Sequence, residues 1–202
     1  MTSEESGRAY VKLIADGLTA PMALSKPVAC AIENHAIAGG FVLAAACDYV
    51  AISRTKDFLV GLTELTVGVP FPRECFECVR HHVVNSRGLR KFVYEGKTMS
   101  PLQAFENGFG DTFVIDPVLS ASQWLRDRMS LPAGIFALTK RQINASYFQA
   151  IGHPDQSLTV TLPMDKQRSA IFHVMSAALT NMQGASRLKS KSNESPAGKS
   201  KL

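Results

Sequence analysis

The residues best suited to chemistry are a glycine pair, Gly39-Gly40, and an acid, Glu64, set among apolar neighbours. Val28 to Ile32 is a short apolar run after Pro27 and reads as a buried strand. His35-Ala36-Ile37-Ala38 is a tight connection, and Gly39-Gly40 opens Phe41 to Ala46, an Ala-rich segment that favours helix. Asp48 to Ile52 is a second strand. Such a strand–turn–helix unit aims free backbone N–H groups at whatever lies above the turn. Glycine also lets a ligand approach the backbone closely. Donors arranged in this way stabilise charge developing on a carbonyl oxygen. The same pattern also fits a plain βαβ unit whose glycines only permit close helix–strand packing.

Glu64 lies in Gly61-Leu62-Thr63-Glu64, and Leu62, Leu65, Val67 and Val69 are expected to shield it from water. A shielded carboxylate at a carbonyl site suits a general base. By spacing alone a solvated loop acid or a first-turn helix acid is the better fit. His35, beside the turn, reads as a structural hydrogen-bonding residue, and Asp48 as a brace for the strand start. His81-His82 fall in a basic helix and are expected at the surface. Four cysteines do not make a disulfide framework in a chain of 202 residues. Cys30 and Cys47 read as buried thiols. Cys75-Phe76-Glu77-Cys78 is a lone CxxC with no second pair and no spaced histidines, so no metal site is expected.

Several elements must position these groups. Glu4 to Met22 is an amphipathic helix with Tyr10, Leu13, Ile14 and Leu18 on one face, and Thr2 and Glu5 have capping-box spacing. Phe58 to Gly61 is a short strand or turn, and Leu62 to Pro72 a loop. Helices follow over Arg73 to Val84, Gly88 to Tyr94 (closed by Gly96), Pro101 to Asn107, Pro117 to Arg128 and Ala133 to Ile151. A strand runs from Thr112 to Ile115, and a long helix from Pro163 to Gln183. The fold class is therefore α/β.

The composition, 46% hydrophobic and 19% charged, is that of an ordinary globular chain, and no apolar run has the length of a membrane span. The N-terminus lacks the basic start and apolar stretch of a secretory signal. Of the net charge of +5, four units lie in Gly184 to Leu202, a Ser/Lys-rich tail expected to be disordered. The body is nearly neutral, so no nucleic-acid partner is expected. The chain ends Ser200-Lys201-Leu202, the address read by the peroxisomal import receptor at a free, flexible C-terminus. A location in the peroxisomal matrix is the expectation.

Lys26 to Ser53, KPVACAIENHAIAGGFVLAAACDYVAIS, closely resembles the crotonase (enoyl-CoA hydratase/isomerase) superfamily. The family carries the same order of Lys-Pro-Val strand, turn, glycine cluster, short helix and Cys-Asp-Tyr strand start. Gly96-Lys97-x-Met99-Ser100, followed by Ala104 and Gly108, resembles the stretch after its active-site loop. The resemblance covers about residues 5 to 183. It implies a crotonase-like spiral fold, truncated at the N-terminus because the family's first strands have no counterpart here. The implied divisions are a partial core over 1–132, a helical oligomerisation or lid segment over 133–183, and the tail over 184–202.

The resemblance also implies roles. Gly39 N–H would be the second of two oxyanion donors, with Ala38, Gly40 and Leu62 beside the substrate; the first donor has no counterpart. Two glutamates serve the family's hydratases. Val42 stands at the position of the first, and Glu64 matches the second. One carboxylate can lift a proton from one carbon and return it two carbons away, so the pattern resembles the isomerase branch. Lys140 matches a family lysine that could meet coenzyme A phosphates; a solvated helix lysine fits equally. The implied substrate is an unsaturated fatty acyl-CoA of β-oxidation, with coenzyme A only as part of the substrate and no other cofactor. The implied assembly is a homotrimer or hexamer. Alternatives are a catalytically inactive family subunit or, less in keeping with Val42, a hydratase.

Overall fold

The computed structural model describes residues 3–153. In chain order these form α1 (Ser3–Thr19), a 3-10 turn (Ala20–Ala23), β1 (Ala29–Ile32), β2 (Ala36–Ile37), α2 (Gly39–Ala45), β3 (Tyr49–Ser53), β4 (Val60–Gly61) and α3 (Glu64–Val67). There follow α4 (Arg73–His82), α5 (Ser86–Glu95), β5 (Thr98–Met99), α6 (Pro101–Glu106), β6 (Thr112–Val114), α7 (Pro117–Met129), α8 (Ala133–Ile143) and α9 (Ala145–Ala150). The mixed α/β class is as expected. The capping position Thr2, the helix expected over Pro163 to Gln183 and the tail lie outside the described residues.

Two small sheets organise the chain. β1, β3 and β6 form a parallel sheet in that order, with Ala29 opposite Tyr49 and Ala51 opposite Thr112. β3 is almost wholly buried, as a central parallel strand should be. α7 packs across β1 and β3, and its Trp124 stacks on Tyr49 at 5.1 Å. The second sheet pairs β2 with β4 in parallel and β4 with β5 antiparallel. The segment expected to be a plain connection, His35 to Ala38, thus supplies a strand of this sheet.

α2 is tied down by an aromatic cluster. Phe41 stacks on Phe109 at 3.9 Å and meets Phe92 at 5.0 Å, all three being fully buried. Helix ends follow their local chemistry. Asn85 caps α5, Ser100 and Gln103 make a reciprocal capping box on α6, and Asp116 caps α7. Gly96 closes α5 at φ 58°, where other residues are strained.

Three elements differ from expectation. Most of the expected apolar face of α1 is turned outward: Tyr10 is 65% and Leu13 69% exposed, and Ile14 is exposed as well, while Leu18 packs against the core. The helix meets α2 and α4 through Ala15 and Thr19, which are small enough for close approach. Apolar periodicity marks the large residues and misses such a stripe. The Leu62–Pro72 segment contains a one-turn helix, α3, closed by Gly68 at φ 73°. The helix expected over Ala133 to Ile151 breaks at Asn144, whose buried side chain donates to Met22 O at 3.0 Å.

Candidate active site

The β2–β4 pair sets the geometry of the candidate site. Ile37 is paired with Gly61, and the chain leaves both parallel strands at the same edge. Two residues on from Ile37 lies Gly39, the start of α2; three on from Gly61 lies Glu64, the start of α3. The pairing therefore brings the glycine turn and the acid to one strand-end edge, where open α/β sheets place their ligands.

Ala38 N–H continues the ladder by donating to Gly61 O at 2.9 Å. Ala38 then takes φ 51° and ψ −120°, the one positive φ among the described non-glycine residues. Such a conformation costs about 1–3 kcal/mol, and strain of this kind clusters at functional sites. The kink starts α2 abruptly. Val42 N–H is the first of the helix to return to a carbonyl, that of Ala38 at 3.1 Å. The N–H groups of Gly39, Gly40 and Phe41 precede it and have no intrahelical acceptor. Gly39 also meets a steric need: a Cβ there would lie 3.2 Å from Leu18 Cδ1 of α1. Gly40 is exposed and Gly39 half-buried, so the turn is open to a ligand.

Glu64 is half-buried in the first turn of α3. Its Oε2 is buried without a hydrogen-bond partner, the one such side-chain atom among the described residues. A buried, unsatisfied carboxylate oxygen is costly and calls for a functional explanation. α3 is fixed by Thr66 Oγ1, which donates to Gly96 O at 2.5 Å, and by Gly96, where a Cβ would meet that hydroxyl at 2.6 Å. The shielding of Glu64 differs from expectation. Leu62 is buried at 2% exposure, but Leu65, Val67 and Val69 are exposed. They lie on the outer side of α3 and its C-terminal turn. Cys75, buried at the start of α4, lies within reach of the Glu64 charge. Burial first, then Glu74 and Glu64, push its thiol up to about 11.

Val42 is 1% exposed and belongs to the core. His35 has the structural role expected, its Nδ1 accepting from Leu59 N at 3.0 Å. His81 and His82 correct the surface expectation: both are half-buried, and His82 packs on Phe109 and accepts from Gly110 N at 3.2 Å. Burial holds both imidazoles below the usual histidine range. Lys140 is likewise no solvated lysine. It is 4% exposed, and its ammonium donates to Asp48 at 2.7 Å and to Lys26 O at 3.2 Å. With its charge met inside the fold, little remains for a phosphate. Asp48 braces the strand start as expected, accepting from Val28 N at 2.8 Å while Asp48 N donates to Val28 O. A spacing signal for the Asp48–Lys140 pair does not exist, since 92 residues separate the partners.

A cavity of about 440 Å³ lies away from this edge, lined by Cys47, Asp48, His81, Trp124 and Lys140 among others. It shares no residue with the Gly39–Glu64 edge. Among the described residues no cluster of His, Cys, Asp and Glu has the makings of a metal site, and no helix is long and apolar enough to cross a membrane.

The family model described as enoyl-CoA hydratase/isomerase matches residues 2–154. No curated protein matches the chain. Among solved structures, an enoyl-CoA hydratase/isomerase family protein from Pseudomonas syringae is 19% identical with a TM-score of 0.66, over 75% of this chain and 66% of that one. An enoyl-CoA hydratase from Mycobacterium marinum is 21% identical with a TM-score of 0.60, over 69% and 61%. An enoyl-CoA isomerase from Mycobacterium tuberculosis is 22% identical with a TM-score of 0.61, again over 69% and 61%. The chain thus spans 61% of the length of these last two, and the likeness establishes a crotonase-like fold.

Proposed function

Because the chain belongs to the enoyl-CoA hydratase/isomerase family, we propose that it acts as an enoyl-CoA isomerase, moving a 3-double bond of an unsaturated fatty acyl-CoA to the 2-position. The observation that carries the reading is Glu64 Oε2, buried without a partner on the strand edge that also bears the Ala38–Gly40 turn. In this scheme Gly39 N–H donates to the thioester oxygen. Glu64 takes a proton from the α-carbon, so that negative charge builds on that oxygen. The double bond shifts, and the same carboxyl returns the proton to the γ-carbon. Ala38, Gly40 and Leu62 flank the substrate. Hydration needs a second carboxylate, for which the apolar, buried Val42 offers no substitute. The reaction needs no metal or redox cofactor, and coenzyme A arrives as part of the substrate.

Within this reading Ser200-Lys201-Leu202 directs the protein to the peroxisomal matrix and to fatty-acid β-oxidation. The assembly is a homotrimer or hexamer. The test is isomerisation of 3-enoyl-CoA, followed separately from hydration of 2-enoyl-CoA, with the unmodified chain and Glu64→Gln. General base catalysis is worth about 10² to 10⁴, so the variant should lose at least about a hundredfold in turnover at unchanged melting temperature. Turnover within a factor of about three would remove Glu64 as the base, being only about 0.65 kcal/mol of barrier. No activity in either form would favour an inactive family subunit.

A further inference from the structure

The outer side of α3 and of the turn after it is apolar and open to water. Leu65 is 61% exposed, Val67 65% and Val69 53%. This surface is continuous with α5. Thr66 Oγ1 donates to Gly96 O, and a Cβ at Gly96 would lie 3.3 Å from Leu65 Cβ. Tyr94, two residues before Gly96, is 70% exposed, and Lys97, just after it, is exposed as well. From Tyr94 back along α5, Arg90 and Arg87 recur at helical spacing. They lie on the face opposite the buried Gly88 and Phe92 and are exposed. Half-buried Lys91 borders them.

The charge of this stretch is one-sided. Arg87, Arg90, Lys91 and Lys97 stand against a single acid, Glu95. Among the described residues, ion pairs engage Arg8, Lys12, Lys56, Arg80 and Lys140, and none of these four. The outer face of α1 makes the contrast. Tyr10 and Leu13 are equally exposed there, but Arg8 and Lys12 are already met by Glu4 and Asp16.

We infer that the α3–α5 surface docks on anionic lipid membranes. Exposed apolar side chains enter the boundary between headgroups and acyl chains, and unpaired cations beside them meet lipid phosphates. Tyr94, apolar in body and polar at its tip, suits the same boundary. A dissolved anion would leave Leu65, Val67 and Val69 without a role, and an uncharged partner would leave the arginines without one. α3 begins at Glu64, so docking brings that edge of the molecule to the lipid surface. The inference does not depend on the isomerase reading.

The test is co-sedimentation of the full chain with vesicles of phosphatidylcholine, with and without phosphatidylserine. Binding is expected only where phosphatidylserine is present, and it should weaken as salt rises. The double variant Arg87→Gln, Arg90→Gln should bind at least about tenfold more weakly, since each basic residue near such a surface is worth on the order of fivefold. Leu65→Ser with Val67→Ser should weaken binding too, whereas Leu13→Ser on α1 should leave it unchanged. All five positions are exposed, so the melting temperature should hold. Should one double variant fold poorly, the other decides. Equal binding to both kinds of vesicle, or to neither, would overturn the proposal. Binding that survives both double variants would belong to the basic tail, Gly184 to Leu202, and would overturn it as well.

Discussion

Replacing Lys140 by Met should expose how much of the fold hangs on one buried charge pair. The ammonium and the Asp48 carboxylate are 2.7 Å apart, with side chains only 3% and 16% exposed. Methionine keeps most of the stem but removes the charge. Asp48 is then left with Val28 N–H as its one remaining partner in this set, in a site closed to most water. Breaking a buried pair from one side costs about 3–5 kcal/mol. The surviving Val28 bond and the partial exposure of Asp48 place the expected loss near the lower end, about 3 kcal/mol. That corresponds to a fall of roughly 6–12 °C in melting temperature for a chain of this size. Urea denaturation monitored by the single Trp, Trp124, which lines the same cavity, would report it. Asp48→Asn should cost a similar amount, and the double variant less than the sum by about 2 kcal/mol. A loss below about 1 kcal/mol for Lys140→Met, or strict additivity in the double variant, would refute the buried-pair account.

Other perturbations read other parts of the structure. Val42→Glu should lose about 3 kcal/mol or more, because it puts a carboxylate where the side chain is 1% exposed; calorimetry would register it, and an unchanged melting temperature would contradict the core placement. Gly88→Ala should cost more than about 2 kcal/mol, since its Cβ would fall 1.9 Å from Asn107 O on rigid backbone; a denaturant midpoint within error of the unmodified protein would count against that packing. His82 is held below its usual range chiefly by burial, and His81 adds to this while Asp111 opposes it. The folded state therefore binds fewer protons than the unfolded chain, so its contribution is fully present above about pH 6.5 and is lost as pH falls below that. His82→Gln should flatten the decline in stability between about pH 6.5 and 5, and an unaltered slope would show that other groups carry it.

What could be read from the sequence was what local spacing encodes. Pro27 and the apolar run after it fix β1, Gly39 marks the start of α2, Gly96 the end of α5, and Ser100-Pro101 the start of α6. Gly39 and Glu64 share one edge only because Ala36–Ile37, which reads as a plain connection, pairs with Val60–Gly61. What was illegible depends on partners distant in the chain. Lys140 looks like any helix lysine until α8 meets Asp48. His81 and His82 look like surface residues until Phe109 and Gly110 close over α4. The outward turn of Tyr10 and Leu13 followed from the small size of Ala15 and Thr19, which governs how closely helices approach. Ala38 was ordinary as a residue type, and its unusual backbone belongs to the turn from β2 into α2.

The β2–β4 pairing has a consequence for how the chain tolerates change in length. Twenty-five residues separate Gly39 from Glu64, yet that number does not set their spacing in space. Two paired rungs do, Ala36 with Val60 and Ile37 with Gly61. The exposed bend at Arg54 to Asp57 lies between β3 and β4, on the side from which the chain enters β4. Extra residues there lengthen a loop and leave both rungs where they are, at an entropic cost that grows only slowly with length. One residue added between Gly61 and Glu64 instead lengthens the two-residue link from β4 to α3 and so displaces the carboxylate from the rung that positions it. Within this stretch, length is free at one end of a two-residue clamp and fixed at the other, so insertions and deletions should report on the Gly39–Glu64 edge more sharply than substitutions do.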